Sequence, residues 1–264
     1  MKAIRVIINV VTAIMLAFAL IGGGFAVCVA SPVTHGLSWV FSDDATSPFD
    51  RNQLARVADA TRDYAFGDHN LLALYQVIYD VDVEYQKSVG YSAASTTSAD
   101  FPKVAQVTDR TSVTQLQNAF SGASVMYCYS QAELSHLDDC YVIARLAYPL
   151  IIAAAILALA GLIFTGITGR KRRLGAVFLA AGLLVVVVFV ALGVWAALDF
   201  QGFFAAFHSL FFKQGNWTFP YDSLLICALP TAFWVGMGAM WLVIDILLSI
   251  ALILIGRRLL RKRR

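Results

Sequence analysis

Four long apolar runs, separated by charged or turn-forming segments, organise this chain. They cover residues 6–30, 146–168, 174–198 and 224–255, and each reaches the roughly 20 residues that a helix needs to cross a bilayer's hydrocarbon core. Backbone polar groups find no water there, so a helix, which satisfies them internally, is the expected form. Between the first and second runs the pattern changes. Across residues 50–64, Leu54, Val57 and Tyr64 return to one helical face with charge opposite, the mark of an amphipathic helix. Ser47-Pro48 ahead of it is a suitable helix start. Residues 88–98 are small, polar and rich in Gly, Ser and Thr, and read as a loop. A helical pattern resumes over residues 114–143 and runs on into the second apolar run. The expectation is a mainly α, polytopic membrane protein with four transmembrane helices and an extracytoplasmic domain between helices 1 and 2.

Composition agrees with the pattern: 59% of residues are hydrophobic and only 14% charged, where a soluble domain is about half apolar and a quarter charged. A formal net charge of +3, from 20 Lys and Arg against 17 Asp and Glu, hides a strong separation. Residues 31–143 hold 6 basic and 14 acidic side chains, leaving 14 basic and 3 acidic ones for the rest. The basic residues gather ahead of the first run (Lys2, Arg5), between the second and third (Arg170 to Arg173) and after the fourth (Arg257 to Arg264). By the positive-inside rule those regions face the cytoplasm. The resulting order is a cytoplasmic N-terminus at 1–5, spans at 6–30, 146–168, 174–198 and 224–255, an outer domain at 31–145, a cytoplasmic loop at 169–173, an outer interfacial aromatic segment at 199–223 and a basic cytoplasmic tail at 256–264. Both termini lie inside, the plasma membrane is the expected location, and nothing in the charge map suits a nucleic-acid partner. The first run is too long for a signal-peptide core, so it is expected to stay as an anchor. Val27 makes Phe25-Ala26-Val27-Cys28 a poor lipidation site.

Four cysteines occur. Cys28 and Cys227, in or beside spans, read as buried small hydrophobes. Cys128 and Cys140 lie in the oxidising outer compartment, but twelve residues of continuous helix would hold them about 18 Å apart, against the roughly 7 Å limit for a disulfide. Either a turn near Ser130 brings them together or they are free thiols. Cys128, His136 and Cys140 are too loosely spaced for zinc, and neither a metal nor a cofactor is expected.

Two segments carry candidate chemistry. On a helix, Glu133, His136, Asp139 and Cys140 fall along one face. A carboxylate one turn from an imidazole fixes its tautomer and raises its basicity, an arrangement suited to a general base; the plainer reading is a histidine solvating a helix end. The second segment, Phe203 to Phe212, holds five phenylalanines in ten residues, with Trp217 and Tyr221 following, and reads as an interfacial belt. His208 is the ionisable side chain of that decamer, and partial burial would favour its neutral, proton-accepting form. Asp245, deep in the fourth run, is a costly intramembrane carboxylate with Asn9, Thr12 or Thr165 as candidate partners. His35 and His69 read as surface residues of the outer domain.

These two segments resemble the bacterial four-span membrane proteins that include the lipoprotein intramolecular transacylase. The first block of that pattern is met by Glu133, His136, Leu137, Asp138 and Asp139. The second is met by Phe207-His208, Phe211-Phe212, Trp217, Asp222, Leu224-Leu225-Ile226 and Pro230, and residues 54–64 also fit. Cys140 stands where the pattern usually has a small aliphatic residue, the stretch after Pro230 departs from its usual ending, and residues 88–114 look like an insertion. The resemblance implies an acyl shift within one lipoprotein, from the sn-2 ester of the diacylglyceryl group to the α-amine of the N-terminal cysteine, leaving a lyso lipid. It implies catalysis by His136 and His208 converging at the outer interface, with Asp139 orienting His136, and contacts to a lipid or lipoprotein substrate from Glu133, Phe207, Phe211, Trp217 and Asp222. The oligomeric state is left open. The competing reading is a membrane-anchored interaction protein without enzymatic activity; a transporter built on Asp245 is disfavoured by the lack of paired repeats.

Overall fold

The computed structural model describes residues 2–90, 112–168, 171–212, 215 and 217–261. Most of the loop expected at 88–98, most of the stretch 88–114, and the basic residues Arg170, Lys262, Arg263 and Arg264 lie outside the described residues. Every element among the described residues is a helix: α1 (Lys2–Cys28), α2 (Ser31–Phe41), α3 (Arg51–Phe66), α4 (Leu71–Ser88), α5 (Val113–Ala119), α6 (Gln131–Thr168), α7 (Lys171–Leu198), α8 (Phe200–Phe211), α9 (Leu224–Ala228) and α10 (Thr231–Leu260). Of these, α1, α6, α7 and α10 are long and apolar enough to cross a membrane.

The chain divides into two compact units. One comprises Met1–Cys28, Arg145–His208 and Gly238–Arg264; the other comprises Val29–Ala144 and Ser209–Met237. In the first, helices approach through small residues, as membrane helices do. A side-chain carbon at Gly175 would stand 2.8 Å from the Gly256 carbonyl oxygen, and one at Gly256 would stand 2.8 Å from the Gly175 carbonyl oxygen. One heptad along, a carbon at Gly182 would lie 2.8 Å from the Ser249 carbonyl oxygen, so α7 and α10 meet along a seam that excludes side chains. Ala13, Ala17, Val177, Ala181, Val185 and Phe189 form the buried centre. The Trp241 indole donates to the Ile21 carbonyl at 2.9 Å. The partners expected for Asp245 are engaged elsewhere: Thr165 donates to Asn9 at 3.0 Å and Thr12 to the Ile8 carbonyl at 2.7 Å. Asp245 is fully buried, and neither of its carboxylate oxygens has a hydrogen-bond partner among the described residues. Large apolar side chains such as Leu150, Ile156, Val187 and Leu247 stay exposed, the kind of surface that a bilayer covers.

The second unit is a small helical domain around Phe49, Leu54, Val57, Leu74, Ile78, Leu116, Leu134 and Leu224. Leu54, Val57 and Tyr64 are buried as the periodicity of residues 50–64 predicts. The helix starts later than Ser47-Pro48, because Asp50 makes a capping box: its side chain accepts from Asn52 N–H and Gln53 N–H, while Gln53 accepts from Asp50 N–H. Two orphan donors of the first turn are thereby satisfied. The helical pattern over 114–143 is interrupted between α5 and α6, with turns over Phe120–Ser130 replacing helix. The apolar run at 224–255 is also two helices, α9 and α10, since Pro230 has no N–H to continue the ladder and its ring disfavours helix in the residue before it. Backbone bonds from Leu224 to Val125 and from Asp43 to Cys227, each 2.9 Å, hold α9 within this unit. Ser38 adds a side-chain bond to the Ala228 carbonyl.

Candidate functional site

The first turn of α6 is built by Ser130 and Glu133. Ser130 N–H and its hydroxyl both donate to Glu133 Oε2, at 2.7 and 2.8 Å, and Glu133 N–H donates back to the Ser130 hydroxyl at 3.3 Å. Glu133 is fully buried, and its Oε1 has no hydrogen-bond partner among the described residues. This carboxylate therefore caps the helix that carries His136, whatever else its second oxygen touches.

One turn on, His136 is half-buried and its ring packs against Phe212 at 4.5 Å and Phe219 at 5.6 Å between centroids. Cys140, one further turn along the helix, places Sγ 3.7 Å from His136 Nε2. The structure thus brings His136 together with the aromatic segment following α8, and the Cys140 thiol stands beside the ring. Asp139 is half-buried on the same helix, as is Trp217 on the aromatic segment and Asp222 ahead of α9. All four cysteines are free. Turns do intervene at Ser130, yet Cys128 is buried in the domain core while Cys140 faces His136. Among the described residues no three His, Cys, Asp or Glu side chains group as a metal site.

His208 falls in the other compact unit. It is 9% exposed, and its Nδ1 lies 2.8 Å from the Phe204 carbonyl oxygen. A carbonyl only accepts, so Nδ1 carries the proton and, in the neutral ring, Nε2 carries the lone pair. Phe204 lies tilted against the imidazole at 3.9 Å between centroids and Phe207 meets it edge-on at 5.6 Å. Burial in this aromatic setting holds the imidazole below its usual 6.5, with the bond to the Phe204 carbonyl opposing in part. Phe207 and Phe211 are themselves about half exposed.

One cluster goes unseen in the sequence. His69, read there as a surface residue, is sandwiched between Tyr64 at 4.3 Å and Tyr141 at 3.9 Å, with rings 21° and 8° from parallel. Its Nδ1 bonds the Tyr64 carbonyl at 3.0 Å and its Nε2 faces Asp138 at 3.6 Å. The Tyr64 hydroxyl donates to the same Asp138 oxygen at 2.5 Å; burial first, and then the Asp138 carboxylate, push the phenol's pKa up and keep it a donor. The only hint was that Tyr64 and Asp138 both fall on the family pattern. A cleft of about 310 Å³ between α3 and α4, lined by Arg56, Asp59, Asp63, Tyr64 and Asp68 among others, holds none of the candidate site residues.

Comparison with known proteins converges on one family. The profile of the family described as lipoprotein intramolecular transacylase Lit matches residues 71–234. No curated protein sequence matches. Among solved structures, the in meso structure of the membrane integral lipoprotein intramolecular transacylase Lit from Bacillus cereus aligns over 98% of this chain and 97% of that chain, with a TM-score of 0.66 at 16% identity. Two structures of that protein with a histidine replaced, by arginine in one and by alanine in the other, align over 98% of this chain with TM-scores of 0.60 at 16% identity. At that identity the likeness shows a shared fold.

Proposed function

The chain belongs to the lipoprotein intramolecular transacylase Lit family, and from that premise we propose that it transfers an acyl chain within a membrane-held lipoprotein. The acyl group leaves the sn-2 ester of the diacylglyceryl moiety and becomes the amide on the N-terminal cysteine. An α-amino group has a pKa of about 7.7–8.0 and is mostly protonated at neutral pH, so the reaction needs a base.

The observation that carries the reading is the tautomer of His208. With Nδ1–H committed to the Phe204 carbonyl and burial disfavouring the cation, the ring is neutral at pH 7 and Nε2 is a proton acceptor. One proton of the ammonium passes to water. The neutral amine nitrogen then attacks the ester carbonyl as His208 takes a second proton from it. The tetrahedral intermediate collapses with cleavage of the bond to the glycerol oxygen, which recovers that second proton from His208. Amide and lyso hydroxyl result, and no acyl-enzyme is needed. A positioned base supplies roughly 10²–10⁴-fold, and amine and ester held in one molecule add an entropic advantage. His136 stabilises charge on the reacting carbonyl, with Asp139 orienting its ring, Glu133 capping its helix and the aromatic residues Phe207, Phe211 and Trp217 meeting the lipid. Asp222 contacts the polar part of the substrate.

The same reading puts the 31–145 domain outside the plasma membrane and both termini in the cytoplasm. The basic groups Lys171 to Arg173 and Arg257, Arg258 and Arg261 at helix ends support that orientation. The test is direct: purified protein in lipid nanodiscs, given a synthetic diacylglyceryl lipopeptide with a free α-amine, should convert it to an isobaric product whose amine no longer reacts with amine-specific label. His208→Gln should abolish the conversion in folded protein. Labelling that stays unchanged with wild type would overturn the proposal for that substrate.

A further inference from the structure

We propose that His69 is a positioning residue for the transfer, acting with Tyr64, Asp138 and Tyr141 as a clamp that fixes the rotation of α6 and so the placement of His136. The inference rests on the functional reading above and adds a residue to it.

The backbone supplies the first argument. His69 has φ +54°, the one non-glycine residue with positive φ among the described residues. Positive φ is uncommon outside glycine, because the β-carbon crowds the backbone, although histidine, like Asn and Asp, adopts it more readily than most types. The four-residue connection from α3 to α4 has Gly67 two residues before and Asn70 one residue after, either of which types would take it at less cost. Backbone strain held in place by surrounding contacts is found where a side chain must be presented, and here the side chain presented is an imidazole.

The contacts of that ring supply the second. It is held on both faces, by Tyr64 from α3 and Tyr141 from α6, and bonded at its edge to the Tyr64 carbonyl. Tyr64 reaches past it to Asp138. The α6 members are therefore Asp138 and Tyr141, three residues apart on one face. At 3.6 residues per turn they stand about 200° and 140° round the helix from His136. The clamp thus grips the back of α6, while Phe212 and Phe219 pack on the side that carries His136. A helix with side chains has a radius of about 5–6 Å, so a rotation of about 10° displaces a ring at its surface by about 1 Å. A displacement of that size at a reacting centre is enough to lower a rate by about 10²-fold. Glu133 and Ser130 fix where α6 begins; the clamp fixes which way it faces.

His69→Gly separates ring from backbone, since glycine accepts the positive φ and removes only the imidazole. In full-length protein in nanodiscs with the lipopeptide, the variant should keep a wild-type unfolding temperature and KM while kcat falls by about 10–100-fold. Amide hydrogen exchange over the first turns of α6 should accelerate. His69→Asn, which tolerates the same φ and keeps an N–H for the Tyr64 carbonyl, should recover part of kcat. Should His69→Gly fail to fold, Tyr64→Phe takes its place, deleting only the bond to Asp138, with a several-fold loss in kcat at constant KM. Wild-type kcat in the folded variant, or exchange over α6 equal to wild type, would overturn the clamp. Absent turnover in wild type itself would instead overturn the transacylase reading, and the exchange measurement would still judge the clamp.

Discussion

Asp82 gives the sharpest test of how the second compact unit is held together. It lies on α4, 1% exposed, with both carboxylate oxygens and the nearby Gln86 amide nitrogen lacking hydrogen-bond partners among the described residues. Burial raises its pKa from 3.8 to about 9. In the unfolded chain an aspartate ionises near 3.9, so between about pH 4 and pH 9 the folded protein keeps a proton that the unfolded chain releases. Stability therefore falls as pH rises through that window, by about 1.4 kcal/mol per unit, which amounts to about 4 kcal/mol by pH 7. Asp82→Asn keeps shape and neutrality at every pH and removes the slope. The variant should match wild type near pH 4.5 and outlast it progressively above, with an unfolding temperature higher by about 10 °C at pH 7. Tyrosine and tryptophan fluorescence followed through thermal unfolding in detergent, between pH 4.5 and 8.5, gives the comparison. Parallel profiles for the two proteins would mean that Asp82 is ionised and paired in the folded state, and would refute the reasoning.

Three other outcomes are expected. The rate of transfer at saturating substrate should fall on the acid side with a midpoint below 6.5, since burial lowers the pKa of His208 and only its neutral form accepts a proton; a midpoint at or above 7 would remove His208 as the base. Gly256→Leu should lower the unfolding temperature, because any side chain there meets the Gly175 carbonyl and the Leu179 backbone nitrogen at 2.8 Å and overpacking costs about 1–3 kcal/mol; an unchanged melt would mean that α7 and α10 do not pack through that seam. Cys140→Ala should keep turnover in the lipopeptide assay, since the thiol beside His136 is not a nucleophile in a direct amine-to-ester transfer; loss of turnover with trapping of an acyl thioester on wild type would contradict the direct route.

The elements that could be read from the chain are those with a strong period. Four membrane-length helices follow from the long apolar runs, and the buried face of α3 follows from the spacing of Leu54, Val57 and Tyr64. His136 and the aromatic segment were visible as a pair because local sequence places each in a chemically odd setting, and Phe212 and Phe219 do pack on His136. Contacts across long separations were not visible. His69 looked ordinary because its role depends on a positive φ and on a tyrosine 72 residues away. Asp245 was assigned polar neighbours by composition alone, and packing gave Thr165 to Asn9 and Thr12 to the Ile8 carbonyl. The break at Pro230 was legible in principle, since proline cannot continue a helical ladder, but a hydropathy window averages over it. The tautomer of His208 needed the Phe204 carbonyl one turn away, and only coordinates place it.

N-acylation by a histidine base is tested most directly by mass spectrometry of the N-terminal peptide of a reporter lipoprotein from cells that lack other N-acylating activity. Wild type should give a lyso, N-acylated cysteine, and His136→Ala or His208→Ala a diacylglyceryl cysteine with a free amine. A diacylglyceryl cysteine with a free amine from cells holding folded, inserted wild type would contradict it, as would N-acylation undiminished in the His208→Ala cells.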